Sequence, residues 1–297
     1  MAGAREPDQD QDQTADQDQT EGSEDDAVDR SEDTGSEDTG SEDEEPFTRD
    51  PTRVDLGSSG DYGLDAPDAV RNLAYAACGA FFAMFVGALF SSAVGMLVAL
   101  AMGIALSIVA LAMVSSSRVG KIQERVRIVD AAGLSADDYV LDLGCGRGLL
   151  LVEAARRVPD GLAVGADVFS AVDQSRNIPS APLDNAVIER VEDRVAVVAG
   201  DGRSLPYVDG AFDAVVSSMV VHNIPEREGR ARVIREASRV VRPGGRLVVV
   251  DMRRTAEYVA ILRAQHWADV RRSRARWRMF PPVRYVSGTK PDPEATR

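Results

Sequence analysis

The sequence predicts an α/β domain on a doubly wound, mostly parallel, seven-stranded sheet, preceded by a two-helix transmembrane hairpin and a disordered acidic tail. Three observations carry that prediction. Charge is split along the chain: residues 1–70 hold 24 of the 48 acids and 4 of the 34 bases, and the remainder is net +6. A run of 46 residues, Asn72 to Ser117, contains no charged side chain. From about residue 120, short apolar runs alternate with amphipathic ones, the pattern of a parallel sheet covered on both faces. The expected boundaries are 1–69 for the tail, 70–117 for the hairpin and 118–297 for the domain.

The tail comes first. It is built from Asp, Glu, Gln, Ser, Thr and Gly and contains the near-repeats DQDQTADQDQT and SEDTGSEDTGSEDEE. So little apolar surface cannot offset the entropy of ordering a chain that also repels itself. It serves as a solubilising segment or as an interaction arm for a basic partner. Because the acids sit in the tail and the rest is mildly basic, an enzyme with an acid-coated, salt-adapted surface is excluded. An apolar run beginning near Leu73 lies too far in for a secretory signal.

The apolar stretch, Leu73 to Val114, has 42 residues. As one helix it would extend about 63 Å, twice a hydrocarbon core of roughly 30 Å. Two passes fit, near 72–91 and 94–115, broken at Ser91-Ser92. Small residues recur at every fourth position: Gly79, Ala83, Gly87, Ser91, Gly95, Ala99, Gly103 and Ser107. This spacing lets helix backbones approach in lipid, within one hairpin or between two copies in a homodimer. Arg71 precedes the first pass, and Arg118, Lys121, Arg125 and Arg127 follow the second. The positive-inside rule therefore puts both ends in the cytoplasm, at a cell (inner) membrane. The two cysteines, Cys78 and Cys145, form no disulfide framework or zinc pattern, so no metal is expected and a reducing compartment fits.

In the domain, Ile122–Ala132 reads as a helix and Tyr139–Leu143 as the first strand. A helix at Leu149–Val158 and a strand at Gly161–Asp167 follow. Next come a helix at Leu183–Arg190 and strands at Val195–Ala199 and Phe212–Ser217. Then come a helix at Ala231–Val241, a strand at Arg246–Asp251 and a helix at Tyr258–Gln265. Two late strands, near 269–278 and 283–289, supply an antiparallel edge. The segment Val140-Leu-Asp-Leu-Gly-Cys-Gly-Arg-Gly148 spans the first strand-to-helix junction, where such sheets bind ligands. Its glycines free the backbone to turn and to touch a ligand. The spacing G-x-G-x-G differs from the dinucleotide G-x-G-x-x-G. Asp142 ends the first strand. Asp167 ends the second, where a carboxylate can accept both hydroxyls of a ribose. Asp201 ends the third, in Val198-Ala-Gly-Asp-Gly202, placed to meet a base edge.

With Phe212-Asp-Ala-Val-Val-Ser217 and the turn Val241-Arg-Pro-Gly-Gly-Arg246, these residues make the chain from about 120 to 290 resemble a class I S-adenosylmethionine-dependent methyltransferase, a Rossmann-like fold. The resemblance implies S-adenosylmethionine as cofactor. It implies that Gly144, Cys145, Gly146 and Gly148, with Asp142, face its methionine part, Asp167 its ribose, and Asp201 with Gly202 its adenine. The Arg-Pro-Gly-Gly turn is architectural.

After the fourth strand comes Ser217-Ser-Met-Val-Val-His-Asn-Ile-Pro225. It lacks the Asn/Asp-Pro-Pro-aromatic motif of base methylases, so no nucleic-acid substrate is expected. His222-Asn223-Ile224 is similar to the Arg-Asn-Val segment of quinone-biosynthesis C-methyltransferases, and to the same tripeptide in a membrane-linked group of uncharacterised methyltransferases. His222 is either a general base or a structural histidine that bonds backbone. The stretch Arg271–Phe280 alternates Arg with other residues, which places the guanidinium groups on one face of a late strand. That face is solvated, or it meets anionic lipid headgroups; few aromatics favour nucleic acid. The function these residues imply is a membrane-anchored methyltransferase acting on a small, lipid- or quinone-like acceptor. The alternatives are a non-catalytic, membrane-tethered cofactor-binding or interaction module, and an NAD(P)-dependent oxidoreductase, which the glycine spacing disfavours.

Overall fold

The structure, a computed structural model, describes residues 60–90, 92–170 and 177–293. The tail expectation therefore falls on residues 1–59, outside that range, except at its end: residues 60–66 are folded against the domain.

Two helices follow, α1 (Pro67–Leu89) and α2 (Ala93–Ser115). Proline in the first turn of α1 costs no hydrogen bond, because that N–H has no intrahelical partner anyway. Ser92 caps α2 by accepting the Gly95 N–H at 3.2 Å. Ser91, half of the expected polar break, lies outside the described residues. Both helices are long and apolar enough to cross a membrane, with mean hydropathies of 1.7 and 2.7. They pack on each other and leave Phe82, Phe85, Leu97 and Leu111 outward. Of the small-residue ladder, Gly103 and Gly87 lie in the contact. A Cβ on Gly103 would sit 2.8 Å from the Phe81 ring, and one on Gly87 3.5 Å from Met96, whereas Gly79 faces open space.

The second helix does not stop where the uncharged run does. It passes through a π-helical turn, Ser116–Gly120, directly into α3 (Lys121–Ala132). The helix expected at Ile122–Ala132 is the continuation of a single 40-residue helix, Ala93–Ala132.

The strands are β1 (Tyr139–Leu143), β2 (Leu162–Asp167), β3 (Val195–Ala199), β4 (Phe212–Ser218), β5 (Val241–Asp251), β6 (Ala268–Arg272) and β7 (Arg284–Thr289). The intervening helices are α4 (Leu149–Arg157), α5 (Ala181–Ile188), α6 (Arg227–Val240) and α7 (Thr255–Ala264). The sheet order is β3-β2-β1-β4-β5-β7-β6. The first five strands are parallel; β7 runs antiparallel to both β5 and β6, so the sheet is mixed. Period two sorts the side chains. Val140, Val216, Val248 and Val250 pack under α3 and α4, while Leu141, Val215, Leu247 and Val249 pack under α6 and α7. Burial on both faces is why these strands read as continuous apolar runs. The order reverses between β1 and β4, which opens a crevice at the strand carboxyl ends.

The Arg-rich stretch corrects one expectation. Regular pairing in β6 ends at Arg272; beyond it the Ser273 N–H donates to the Tyr285 carbonyl at 2.9 Å and Arg276 bridges to Val283. The arginines therefore do not share one strand face. Arg276 lies over the Tyr285 ring at 5.3 Å, and Arg278 reaches back to Gln123 of α3 at 3.1 Å.

Residues 60–66 form a strap across α3 and α5. Lys121, buried at the start of α3, needs acceptors for its ammonium and finds three: the carbonyls of Tyr62 (2.7 Å) and Gly63 (3.0 Å) and the Asp65 carboxylate (2.9 Å). Arg147 grips Asp61 at backbone and side chain, and Asn185 both donates to the Asp61 carbonyl and accepts its N–H.

Candidate active site

The register Asp142↔Gly165 and Leu143↔Ala166 brings the ends of β1 and β2 level, and Asp167↔Ala199 does the same for β3. Asp142, Asp167 and Asp201 thus gather on one rim, as the sequence predicts. The loop Gly144–Gly148 turns above β1, with φ of +77°, +51° and +83° at its three glycines. The positive φ values are the turn expected of these glycines, and two of them also admit close neighbours. A Cβ on Gly144 would fall 2.2 Å from Val220, and one on Gly148 2.9 Å from Pro182. Their missing side chains make room for protein. Gly146 is tied into the rim: its N–H donates to Asp167 Oδ2 at 2.8 Å, and Asp167 Oδ1 accepts the Phe169 N–H at 2.6 Å. Each carboxylate oxygen keeps a second lone pair.

Asp142 is buried, and its Oδ2 has no hydrogen-bond partner. Burial, reinforced by the nearby Asp167 charge and opposed by the Leu151 N–H, pushes its carboxyl up to about 8. The fold therefore favours the protonated form. This contribution to stability is complete below the ordinary value of 3.8 and is lost as pH rises through about 8. Thermal melts of the ligand-free chain should fall across that window, and Asp142→Asn should flatten the decline. An unchanged slope in the variant would assign the decline to other groups.

Cys145 lines the cavity, but its thiol packs toward Gly165, where an added Cβ would meet Sγ at 2.7 Å; burial pushes that thiol up. The Asp201 side chain is 40% exposed, against a buried Asp142. Arg203 holds its carboxylate through Nε and Nη2 and lowers its pKa. Gly202 fits against Leu143, 3.1 Å from a would-be Cβ.

Asp142, Gly144, Cys145, Gly146, Asp167, Asp201 and Gly202 line a cavity of about 500 Å³, within the range of small-molecule sites, whereas Gly148, expected to face the same ligand, packs against Pro182 outside that lining. His222 stands in its wall, on a 3-10 turn (Val221–Asn223) that leaves β4. Its Nδ1 approaches Asp251 Oδ1 at 2.6 Å without the alignment of a full hydrogen bond, and its backbone N–H donates to Asp251 Oδ2 at 3.0 Å. The fully buried Asp251 also accepts the Tyr258 hydroxyl (3.0 Å) and the Met252 N–H (2.8 Å). Sequence reasoning missed Asp251, although it ends β5 as Asp167 ends β2. Also missed were three methionines in the wall, Met219, Met252 and Met279, and the pair Asp65 and Lys121 at the strap.

An orphaned, buried carboxylate oxygen beside a Gly loop suits a cation, and a rim acid with spare lone pairs suits vicinal hydroxyls. S-adenosylmethionine carries both an ammonium and a ribose, so the residues fit it. Sheet order, loop and rim acids are arranged as the resemblance to class I S-adenosylmethionine-dependent methyltransferases implies. Residues 141–249 match the family described as methyltransferase domain.

Three relatives illustrate the similarity. The chain is 36% identical over 128 residues to a demethylmenaquinone methyltransferase of Roseiflexus sp. (strain RS-1), covering 43% of this chain and 47% of that one. It is 35% identical over 125 residues to the 27-O-demethylrifamycin SV methyltransferase of Amycolatopsis mediterranei (strain S699), 42% of each. It is 33% identical over 125 residues to the ubiquinone/menaquinone biosynthesis C-methyltransferase UbiE of Hahella chejuensis, 41% of this chain and 46% of that one. The chain spans about half the length of the curated relatives it matches.

Proposed function

We propose that this protein is a membrane-anchored methyltransferase, its domain in the cytoplasm, that methylates a small quinone- or lipid-like acceptor. The observation that carries the proposal is the cavity itself. It joins the cofactor rim to His222 and to a methionine-lined wall, and it includes Lys121, the first residue of α3 beyond the apolar helices. Relatives named for quinone methylation support the acceptor class.

In this reading Asp142 takes the cofactor's ammonium, Asp167 its ribose hydroxyls, and Asp201 with Gly202 its adenine. Gly144, Cys145, Gly146 and Gly148 hold the loop that faces the methionine part. The cofactor supplies an activated sulfonium methyl. What remains for the chain is to align an acceptor, exclude water and remove a proton. His222 presents Nε2 to the cavity and takes that proton. Asp251, against Nδ1, stabilises the imidazolium that results. Met219, Met252 and Met279 are adaptable apolar side chains suited to a flat or branched hydrocarbon acceptor.

The test uses the full chain in lipid nanodiscs, with radiolabelled S-adenosylmethionine and either demethylmenaquinone kept reduced to its quinol by added dithionite in the bilayer or a water-soluble phenol outside it. Label is expected in the organic phase with the quinone. Tight cofactor binding with label entering only the soluble phenol would overturn the acceptor class.

A further inference from the structure

We propose that the Arg274–Arg278 loop and the π-helical turn Ser116–Gly120 together form a docking surface for anionic lipid headgroups, which seats the cavity against the bilayer. The proposal rests on the membrane reading above. Residues 270–290 contain seven bases and no acid. The loop is bolted to the foot of the apolar helix. The Phe280 N–H donates to Ser116 Oγ at 2.8 Å, and the Arg278 carbonyl lies where a Cβ on Gly120 would fall, 2.2 Å away. No other residue fits at position 120 without moving the loop.

Buried Glu124 is the second fastening. It receives Arg276 at 3.5 Å, Arg278 at 3.8 Å and the Tyr285 hydroxyl. With Arg276 and Arg278 turned toward Glu124, the side chain between them is pushed out: Trp277 is 73% exposed. Arg274 and Arg118 are exposed on the same two segments, and Val119 is 44% exposed beside Arg118. A large aromatic flanked by guanidinium groups, at the end of an apolar helix, matches the composition of a membrane interface. The charge complements the anionic cytoplasmic leaflet. Met279, two residues after Trp277, turns inward and lines the cavity. Docking through Trp277 therefore sets Met279 of the methionine wall two residues along the chain from the headgroup layer, within reach of an acceptor dissolved in the bilayer.

The experiment places the full chain in nanodiscs of phosphatidylcholine, with and without phosphatidylglycerol, each carrying brominated lipid. Tryptophan emission of the wild type minus that of Trp277→Phe isolates Trp277, since the only other tryptophan, Trp267, is buried. Quenching of Trp277 is expected to be at least roughly twofold stronger with the anionic lipid, weakened by high salt and by the double variant Arg118→Gln/Arg274→Gln. Cofactor affinity in that variant should not change. Incorporation into discs with Trp277 unquenched in both lipids overturns this proposal alone. Failure to incorporate overturns the membrane reading as well. A Trp277 signal that follows an RNA oligonucleotide and ignores anionic lipid also overturns it.

Discussion

Asp167→Ala should weaken S-adenosylmethionine binding by at least ~100-fold in isothermal titration, because two charge-assisted contacts are lost at roughly 1.5–3 kcal/mol each. The carboxylate works in two directions. Toward the protein, it accepts the N–H groups of Gly146 and Phe169 and so holds the Gly loop against the end of β2. Toward the cavity, it offers its remaining lone pairs. Alanine orphans the Gly146 N–H on the rim and removes the acceptor together. Asp201→Ala is the internal contrast. That carboxylate is exposed and already engaged by Arg203, so its loss should cost less than ~10-fold, as for a screened surface pair. Equal effects at the two positions would mean that the rim polarity has been assigned wrongly. Circular dichroism on both variants separates loss of the site from loss of the fold.

The difference between these two acids shows where sequence is informative. Strand ends are legible because a parallel strand is a continuous apolar run; the buried β1 and the half-buried edge strand β3 both begin and end where the sequence predicts. The acids that terminate such runs can be placed on one rim from spacing alone. What a terminal acid touches cannot. Arg203 is two residues from Asp201, but the Asp251 partner His222 is 29 residues away and meets it only because β4 and β5 are neighbours. The strap is illegible for the same reason. Asp61 and Tyr62 lie in a polar, glycine-rich stretch that resembles the tail before it. They are ordered by Asn185, Arg147 and Glu189, between 86 and 127 residues away. The Arg271–Phe280 stretch misleads in the opposite way. Its alternation is real, but Pro281-Pro282 follow it and a buried Glu124 competes for the guanidinium groups, so the chain leaves the sheet.

His222→Ala should lower turnover by roughly 10²–10⁴-fold while the cofactor dissociation constant stays within about twofold, the range of a lost general base. Added imidazole should restore part of the rate, which no purely structural role would allow. Asp251→Asn then tests how the base is held. In the proposed reading the Asp251 carboxylate, an acceptor beside Nδ1, favours the tautomer with its proton on Nδ1, which leaves Nε2 free to take another. An asparagine that turns its NH₂ toward Nδ1 reverses this: Nδ1 becomes the acceptor, the proton moves to Nε2, and the cavity-facing nitrogen can no longer act as a base. Turnover should fall as far as in His222→Ala even though the imidazole is present, and imidazole should not rescue it. Stability should drop too. The Tyr258 hydroxyl and the His222 and Met252 N–H groups share the two oxygens of one fully buried carboxylate, and each donor left unpaired costs about 1–3 kcal/mol. Tyr258→Phe removes one donor without touching the histidine, so it should return part of that stability in the Asp251→Asn background and none of the activity. If activity returned with stability, His222 would be a structural residue, and proton removal would have to be assigned elsewhere in the cavity.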